Sequence, residues 1–362
     1  MQTMTIHPSS PGLWTLAWRR LRADRVAMAA LAVVVLFLAM LMLSSTGLIA
    51  ADWEDEVALN YAPPSFAGAS GASQAGAAQA VSEVGENAFD PLAEDLSAIR
   101  AQQDQGRAVD TSGVVDPLAA DLAALGATQT TVAAAKRETL PFGADKWGHD
   151  IIKKTIKGGE TSIVVGLVAA LVAVTLGTIF GAVSGYFGGY VDDIFNWFYS
   201  IFTSIPPILM ILTVAAVLQQ KGVMTIVLIL GLTGWTAPYR LIRAEYMKHK
   251  AREYVMAADA IGASHWRKMF SHIFPNVSHV ALVQMSILVV GFIKAEVILS
   301  FLGFGVPVGV VSWGSMLNEA QNELILGKWW QLTAAALAMA LLVTAFSLFT
   351  DALRDALDPK LK

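Results

Sequence analysis

The sequence predicts an all-α membrane protein of six transmembrane helices, with cytoplasmic N- and C-termini and a large acidic external insert between helices one and two. Three observations lead there. Of 362 residues, 55% are hydrophobic and 15% charged, against about 25% charged in soluble domains, and mean hydropathy is +0.54. The apolar residues gather into runs at 26–50, 161–187, 194–217, 222–239, 277–300 and 329–350. A helix needs roughly 20 such residues to cross hydrocarbon; the fourth run is short for this. Third, basic residues are unevenly spread, and Lys and Arg stay preferentially on the cytoplasmic side.

Taken in order, Arg19, Arg20, Arg22 and Arg25 precede the first run against Asp24 alone. The 240–276 segment carries Arg240, Arg243, Lys248, Lys250, Arg252, Arg267 and Lys268 against Glu245, Glu253 and Asp259. Residues 51–135 hold only Arg100 and Arg107 against thirteen acids. Six spans then place both termini and 240–276 inside, and 51–160 outside. Asp192 and Asp193 are the exception, an acidic turn on the cytoplasmic face. The first run, with bases before it, mimics a signal peptide. Its length of about 25 residues exceeds a cleavable h-region, so it predicts an uncleaved anchor. Leu13 to Trp18 suit a short amphipathic helix at the membrane interface.

Residues 1–50 thus form an N-terminal segment with the first span, 51–138 an insert, and 139–362 a five-helix core. In the insert, 67–80 is Ala/Gly/Ser-rich and reads as a flexible linker. The segment 90–101 recurs at 116–127 with eight of twelve positions identical. Each copy opens Asp-Pro-Leu-Ala, an N-cap acid and a first-turn proline, and predicts a short helix. The pair reads either as a docking site for an external partner or as a loosely folded surface insert. The chain has no cysteine, which excludes disulfides and thiol chemistry.

Within the spans, Gly177, Gly181 and Gly185 make a small-residue stripe, which permits close backbone approach inside the chain or between subunits. Pro206 and Pro207 should kink the third span and point to a pore-facing helix. Lys294 and Glu296 lie in an otherwise apolar run. An ionisable group at membrane depth is by default a functional candidate, although a structural hydrogen bond or snorkelling explains it as well. Two apart on a helix, the pair does not face itself.

The stretch 253–276 reads as a cytoplasmic helix with Ala257, Ala258, Ile261, Ala263 and Trp266 on a small-residued face, Gly262 in its middle for close seating, and Pro275 where span five begins. Ala257-Ala258, then Gly262, then His272-Ile273-Phe274-Pro275-Asn276 resembles the EAA loop of binding-protein-dependent ABC importer permeases. Glu253-Tyr254-Val255 most resembles the dipeptide/oligopeptide subfamily, since the general motif's acid would fall at Met256 and that subfamily places it three residues earlier. Gly143 to Asp150, Glu296 to Gly305 with Ser312-Trp313-Gly314, and Asp351 to Pro359 also resemble that family, in the layout of its "C"-type subunit. The chain departs at His149 and Glu160, where the family usually has Arg, and lacks the usual Pro-Gly near the start of span six.

The resemblance implies a bacterial inner-membrane, multi-pass permease subunit of an ATP-driven peptide importer. Glu253, Ala257, Ala258, Gly262, Pro275 and Asn276 would then form the coupling segment. The implied partners are a homologous second permease, two ATP-binding subunits, an extracytoplasmic substrate-binding protein, peptide and membrane lipid. Within the family, nickel or another small solute is the rival cargo; outside it, the rival is an autonomous ion-coupled secondary transporter. The chain carries no Gly-x4-Gly-Lys-Ser/Thr loop and no nucleophile–base pairing, so it reads as no enzyme, with ATP and Mg used only by partners. His7, His149, His249, His265, His272 and His279 contain no i,i+4 pair and suggest no metal site. A net charge of −4 suggests no nucleic acid. No cofactor is expected on this chain.

Overall fold

The computed structural model describes residues 13–67, 136–220 and 222–357. The repeated segments 90–101 and 116–127, and the 67–80 linker beyond its first residue, lie outside the described residues. The chain divides into two compact units, Met1–Asp55 with His149–Lys362, and Glu56–Gly148. In the second, Ala58, Ala62, Leu140 and Ala144 form a small core, with parallel bridges joining Ala58 to Arg137 and Pro64 to Leu140. Gly148 has φ +90°, and a Cβ there would stand 2.2 Å from the Ala58 carbonyl oxygen. No other residue fits that turn.

The first unit is helical. Helix α1 is Leu13–Ala23 and α2 is Arg25–Ser45, the latter N-capped by Asp24, whose Oδ1 accepts the Val26 N–H at 2.8 Å. Helix α3, Ile151–Phe187, starts on the Asp150 cap. Then come α4, Gly189–Ser204, and α5, Pro207–Leu218; α6, Val223–Thr233, and α7, Thr236–Lys250; and the short α8, Glu253–Ala260. A helical turn and a π-helical stretch Lys268–Ile273 lead into α9, Phe274–Phe301. The last two are α10, Trp313–Ile325, and α11, Trp330–Leu357.

Among the described residues, five helical segments are long and apolar enough to cross a membrane: Arg25–Ser45, Ile151–Phe187, Val223–Lys250, His265–Phe301 and Trp330–Leu357. The third expected span is not one helix. α4 and α5 meet at an 87° bend, with Ile205 at ψ 132° and Pro206 at ψ 130°. Each of these residues precedes a proline, which disfavours the helical region, so two successive extended residues break the helix where a kink was expected. The fourth expected span, 222–239, is only the start of a longer one reaching Lys250.

The glycine stripe of α3 packs within the chain. Added Cβ atoms would lie 2.7 Å from the Trp235 carbonyl oxygen at Gly177, 2.7 Å from that of Tyr239 at Gly181, and 2.5 Å from that of Arg243 at Gly185. The backbones of α3 and α7 therefore touch over two turns. Gly166 makes a similar approach to α9, its Cβ position 2.5 Å from Ile293. A buried set that includes Ala169, Ala173, Leu230, Val289 and Phe292 fills the centre, while Ala17 and Leu21 of α1 pack with Ala356 and Leu357 of α11.

Gly181→Val should destabilise the protein by about 1–3 kcal/mol through overpacking, lowering the detergent-solubilised melting temperature. Gly291→Ala, with nothing within 4 Å of the new methyl, is the control and should not lower melting, since Ala favours a helix interior over Gly by about 1 kcal/mol.

Candidate functional site: the 253–276 loop and its anchors

The loop starts from local backbone chemistry. α8 ends in a Schellman turn: the Ala263 N–H donates to the Ala258 carbonyl at 3.0 Å, and the Gly262 N–H to that of Asp259 at 2.9 Å. Gly262 has φ +79° with nothing within 4 Å of its Cβ position. It does not sit mid-helix, as expected from sequence; it is the left-handed residue that stops α8. Ser264 then caps the next turn. Pro275 has no N–H for the preceding turn, and the chain before it relaxes into the π-helical stretch.

The loop folds back on its own unit through Val255, Met269 and Ile273, which pack with Ala182, Tyr186, Ile242, Tyr246 and Val277. Tyr246 Oη donates to the Met269 carbonyl at 3.2 Å. Tyr186 Oη is 3.0 Å from His265 Nδ1, and Lys250 Nζ stands 5.6 Å over the Tyr186 ring. Lys268 donates to Asp259 and so ties the two halves of the loop. That hydrogen bond holds the Asp259 carboxyl below its ordinary range. On the outer side Met256, Ile261, Trp266 and Phe270 are exposed, Ile261 at 85%, with Trp266 stacked on Phe270 at 8° between planes.

Two polar clusters stand at other points of the same unit. At one, Arg243 forks onto Asp192, Nε to Oδ1 at 2.6 Å and Nη2 to Oδ2 at 2.5 Å. Ser184 donates to Asp192 and lies 3.1 Å from Tyr239 Oη. At the other, Glu296 is 0% exposed. Its carboxylate accepts from Ser162 of α3 and Ser300 of α9, each at 2.6 Å. Ser162 Oγ accepts the Trp313 N–H of α10 at 3.2 Å, and Trp313 Nε1 donates to the Thr155 carbonyl at 2.9 Å. Gly158, Gly159 and Gly314 allow this close seating of α10 against α3 and α9.

Residues 177–362 match the family described as binding-protein-dependent transport system inner membrane component. The chain belongs to that family. Residues 12–64 match the N-terminal transmembrane domain of oligopeptide transport permease C. The dipeptide transport system permease protein DppC of Bacillus subtilis is 37% identical over 221 residues, 61% of this chain and 69% of that protein. The oligopeptide transport system permease protein OppC of the same organism is 37% identical over 221 residues, 61% and 72% of the two chains. OppC of Salmonella typhimurium is 37% identical over 219 residues, 60% and 72% of the two chains.

In this permease the sequence-selected residues divide. Glu253, Ala257, Gly262, Pro275 and Asn276 are exposed on the loop, while Ala258 is turned inward and buried. Asn276 Nδ2 donates to the His272 carbonyl at 2.8 Å. Pro206 and Pro207 are exposed at the break between α4 and α5. Lys294 is exposed and Glu296 is not, so these two face apart as their spacing requires; Glu296, proposed from sequence for a translocation pathway, is enclosed by serines. Glu160, where the family usually has Arg, accepts from Ser44 at 2.6 Å and Lys157 at 2.8 Å and so joins α2 to α3. Sequence reasoning did not select Asp192, Arg243, Ser162 or Trp313. For Asp192 a signal existed: with Asp193 it made the acidic exception to the charge pattern.

Glu296→Ala should strand two buried hydroxyls and cost about 1–3 kcal/mol; Glu296→Gln should recover part of that loss in thermal melts. Asp259 gives a pH test. Its folded pKa is depressed, so its contribution is present above the ordinary value near 3.8 and is lost as pH falls through the lowered one. Amide-exchange protection at Gly262 and Ala263 should fall over that acid range in wild type and be pH-independent there in Asp259→Asn.

Proposed function

We propose that this chain is the "C"-type permease subunit of an ATP-driven importer of di- or oligopeptides in the bacterial inner membrane. It pairs with a homologous permease, two ATP-binding subunits and an extracytoplasmic binding protein. Identity of 37% to permeases named for dipeptide and oligopeptide transport carries this reading. Relatives named for peptides favour that cargo over nickel.

The charge pattern supports a topology with both termini and 253–276 cytoplasmic. That topology counts the bent α4–α5 pair as one crossing, because the basic segments before α2 and after α7 then share a side. It also puts Asp192 on the cytoplasmic face beside the loop, in keeping with its pairing to Arg243. The loop's outward side, Ala257 with Met256, Ile261, Trp266 and Phe270, is small and apolar enough to enter a cleft on an ATPase subunit. Its inward side is fixed to α3, α7 and α9. A push on the loop therefore reaches the spans, which must hold two packings for transport to cycle. ATP and Mg belong to the partner subunits.

Proteoliposomes test this. Labelled trialanine should accumulate only with the second permease, both ATPase subunits, binding protein and ATP present, and Ni²⁺ should not compete. Ala257→Arg should remain membrane-inserted yet fail to retain the ATPase subunits. Uptake by this chain alone, driven by a proton or sodium gradient, would make it a secondary transporter instead.

A further inference from the structure

We infer that the Asp192–Arg243 fork is the joint through which motion of the cytoplasmic loop reaches the broken α4–α5 helix; this rests on the coupling role proposed above. One turn of α7 carries both ends of the connection. Tyr246 grips the loop through the Met269 carbonyl, and Arg243, three residues earlier, grips α4 through Asp192. The same turn is pressed against α3, since a Cβ at Gly185 would lie 2.5 Å from the Arg243 carbonyl oxygen and 2.9 Å from Tyr246 Cβ. Loop and α7 therefore cannot slide independently along α3.

α4, by contrast, buries no residue of its own. Two things attach it to α7. Phe198 and Phe202 lie 5.4 Å from Trp235, and Phe195 and Tyr199 lie 6.4 and 5.5 Å from Tyr239, with Phe180 of α3 against Phe195; such ring contacts tolerate sliding. The fork does not. Two parallel charge-assisted hydrogen bonds fix both distance and angle, and Ser184 holds the carboxylate in register. The pair is partly shielded, with 25% and 14% of the two side chains exposed, which strengthens it relative to a surface pair. α4 leads directly to the 87° break at Pro206 and Pro207. A helix held along its length by ring contacts, fixed in distance and angle only at its cytoplasmic end and broken at the other, swings where its pin goes. The acid at 192 is thus a positioning residue for the transport cycle.

The chain's lack of cysteine permits a direct test in the reconstituted complex. Spin-label pairs at Tyr190→Cys with Leu348→Cys, and at Ile261→Cys with Leu348→Cys, all exposed positions, report α4 and the loop separately. In wild type both distances should change on trapping with ATP and vanadate. In Asp192→Asn and in Arg243→Lys the loop distance should still change while the α4 distance stays near its resting value. Trialanine uptake per ATP hydrolysed should fall about tenfold, with hydrolysis itself retained. The exchanged pair, Asp192→Arg with Arg243→Asp, should recover part of the uptake. Wild-type movement of α4 in both single variants, with uptake per ATP unchanged, overturns the joint. So does loss of subunit co-purification in both, which would assign the pair to folding alone. If neither distance changes in wild type, the coupling role of the loop fails first.

Discussion

Direct backbone contact between α3 and α7 is the constraint on which the rest of the unit depends. In hydrocarbon, helices gain little from burying apolar side chains against each other, because lipid serves equally well. What distinguishes one packing from another is how closely the backbones fit. Three glycines on α3 face three consecutive stretches of α7 backbone, and any side chain there would force the helices apart. That seating fixes Tyr239, Arg243 and Tyr246 in register beside Ser184, Asp192 and Tyr186. The polar contacts then need no further search; they form because the glycines have already set the spacing.

The polar clusters complement that apolar fit. Around Glu296, the carboxylate takes the hydroxyls of Ser162 and Ser300, and the Trp313 N–H donates to Ser162, so that α3, α9 and α10 are linked. Around Asp192, a carboxylate with a guanidinium links α3, α4 and α7. A polar group at membrane depth is costly unless fully satisfied, so the Glu296 cluster strongly prefers one arrangement of its helices; the Asp192 fork fixes its helices by the geometry of two parallel hydrogen bonds. Between them the core is mostly Ala, Val, Ile and Leu, whose contacts are less directional. Defined polar corners joined by adaptable apolar packing suit a transporter, which must hold discrete states.

The loop shows how local rules and tertiary packing share the work. Its amino acids alone place a helix start at Glu253, small residues at 257 and 258, and a helix-limiting proline at 275. They do not say that Gly262 is a stop signal. A glycine amid helix-forming residues reads equally as a packing notch or a C-terminal cap, and the two differ only in backbone φ. Nor do they say that Ala258 faces inward while Ala257 faces out; that depends on which side of α8 meets Tyr246 and Ile273.

Hydropathy located the apolar runs, because desolvation cost is a local property summed along the chain; it did not show that the fourth run continues as helix to Lys250, since the added turns are polar and are held by packing. The family pattern in 253–276 was likewise legible, being contiguous. The consecutive prolines at 206 and 207 announced a disturbance, and only the three-dimensional chain fixed its size, since an 87° bend depends on where α4 and α5 find partners. The partners of Asp192, Glu160 and Glu296 were hidden for the same reason. Arg243 is 51 residues from Asp192, and Ser162 is 134 from Glu296. Such pairs follow from which helix faces meet, a matter of global packing that no local window contains. The sequence by itself determined which runs are apolar enough to cross a membrane and marked 253–276 by its pattern, both being local. The tertiary structure decided which side chains hold that segment to α3, α7 and α9, namely Val255, Met269 and Ile273, because helix faces meet only in the folded chain.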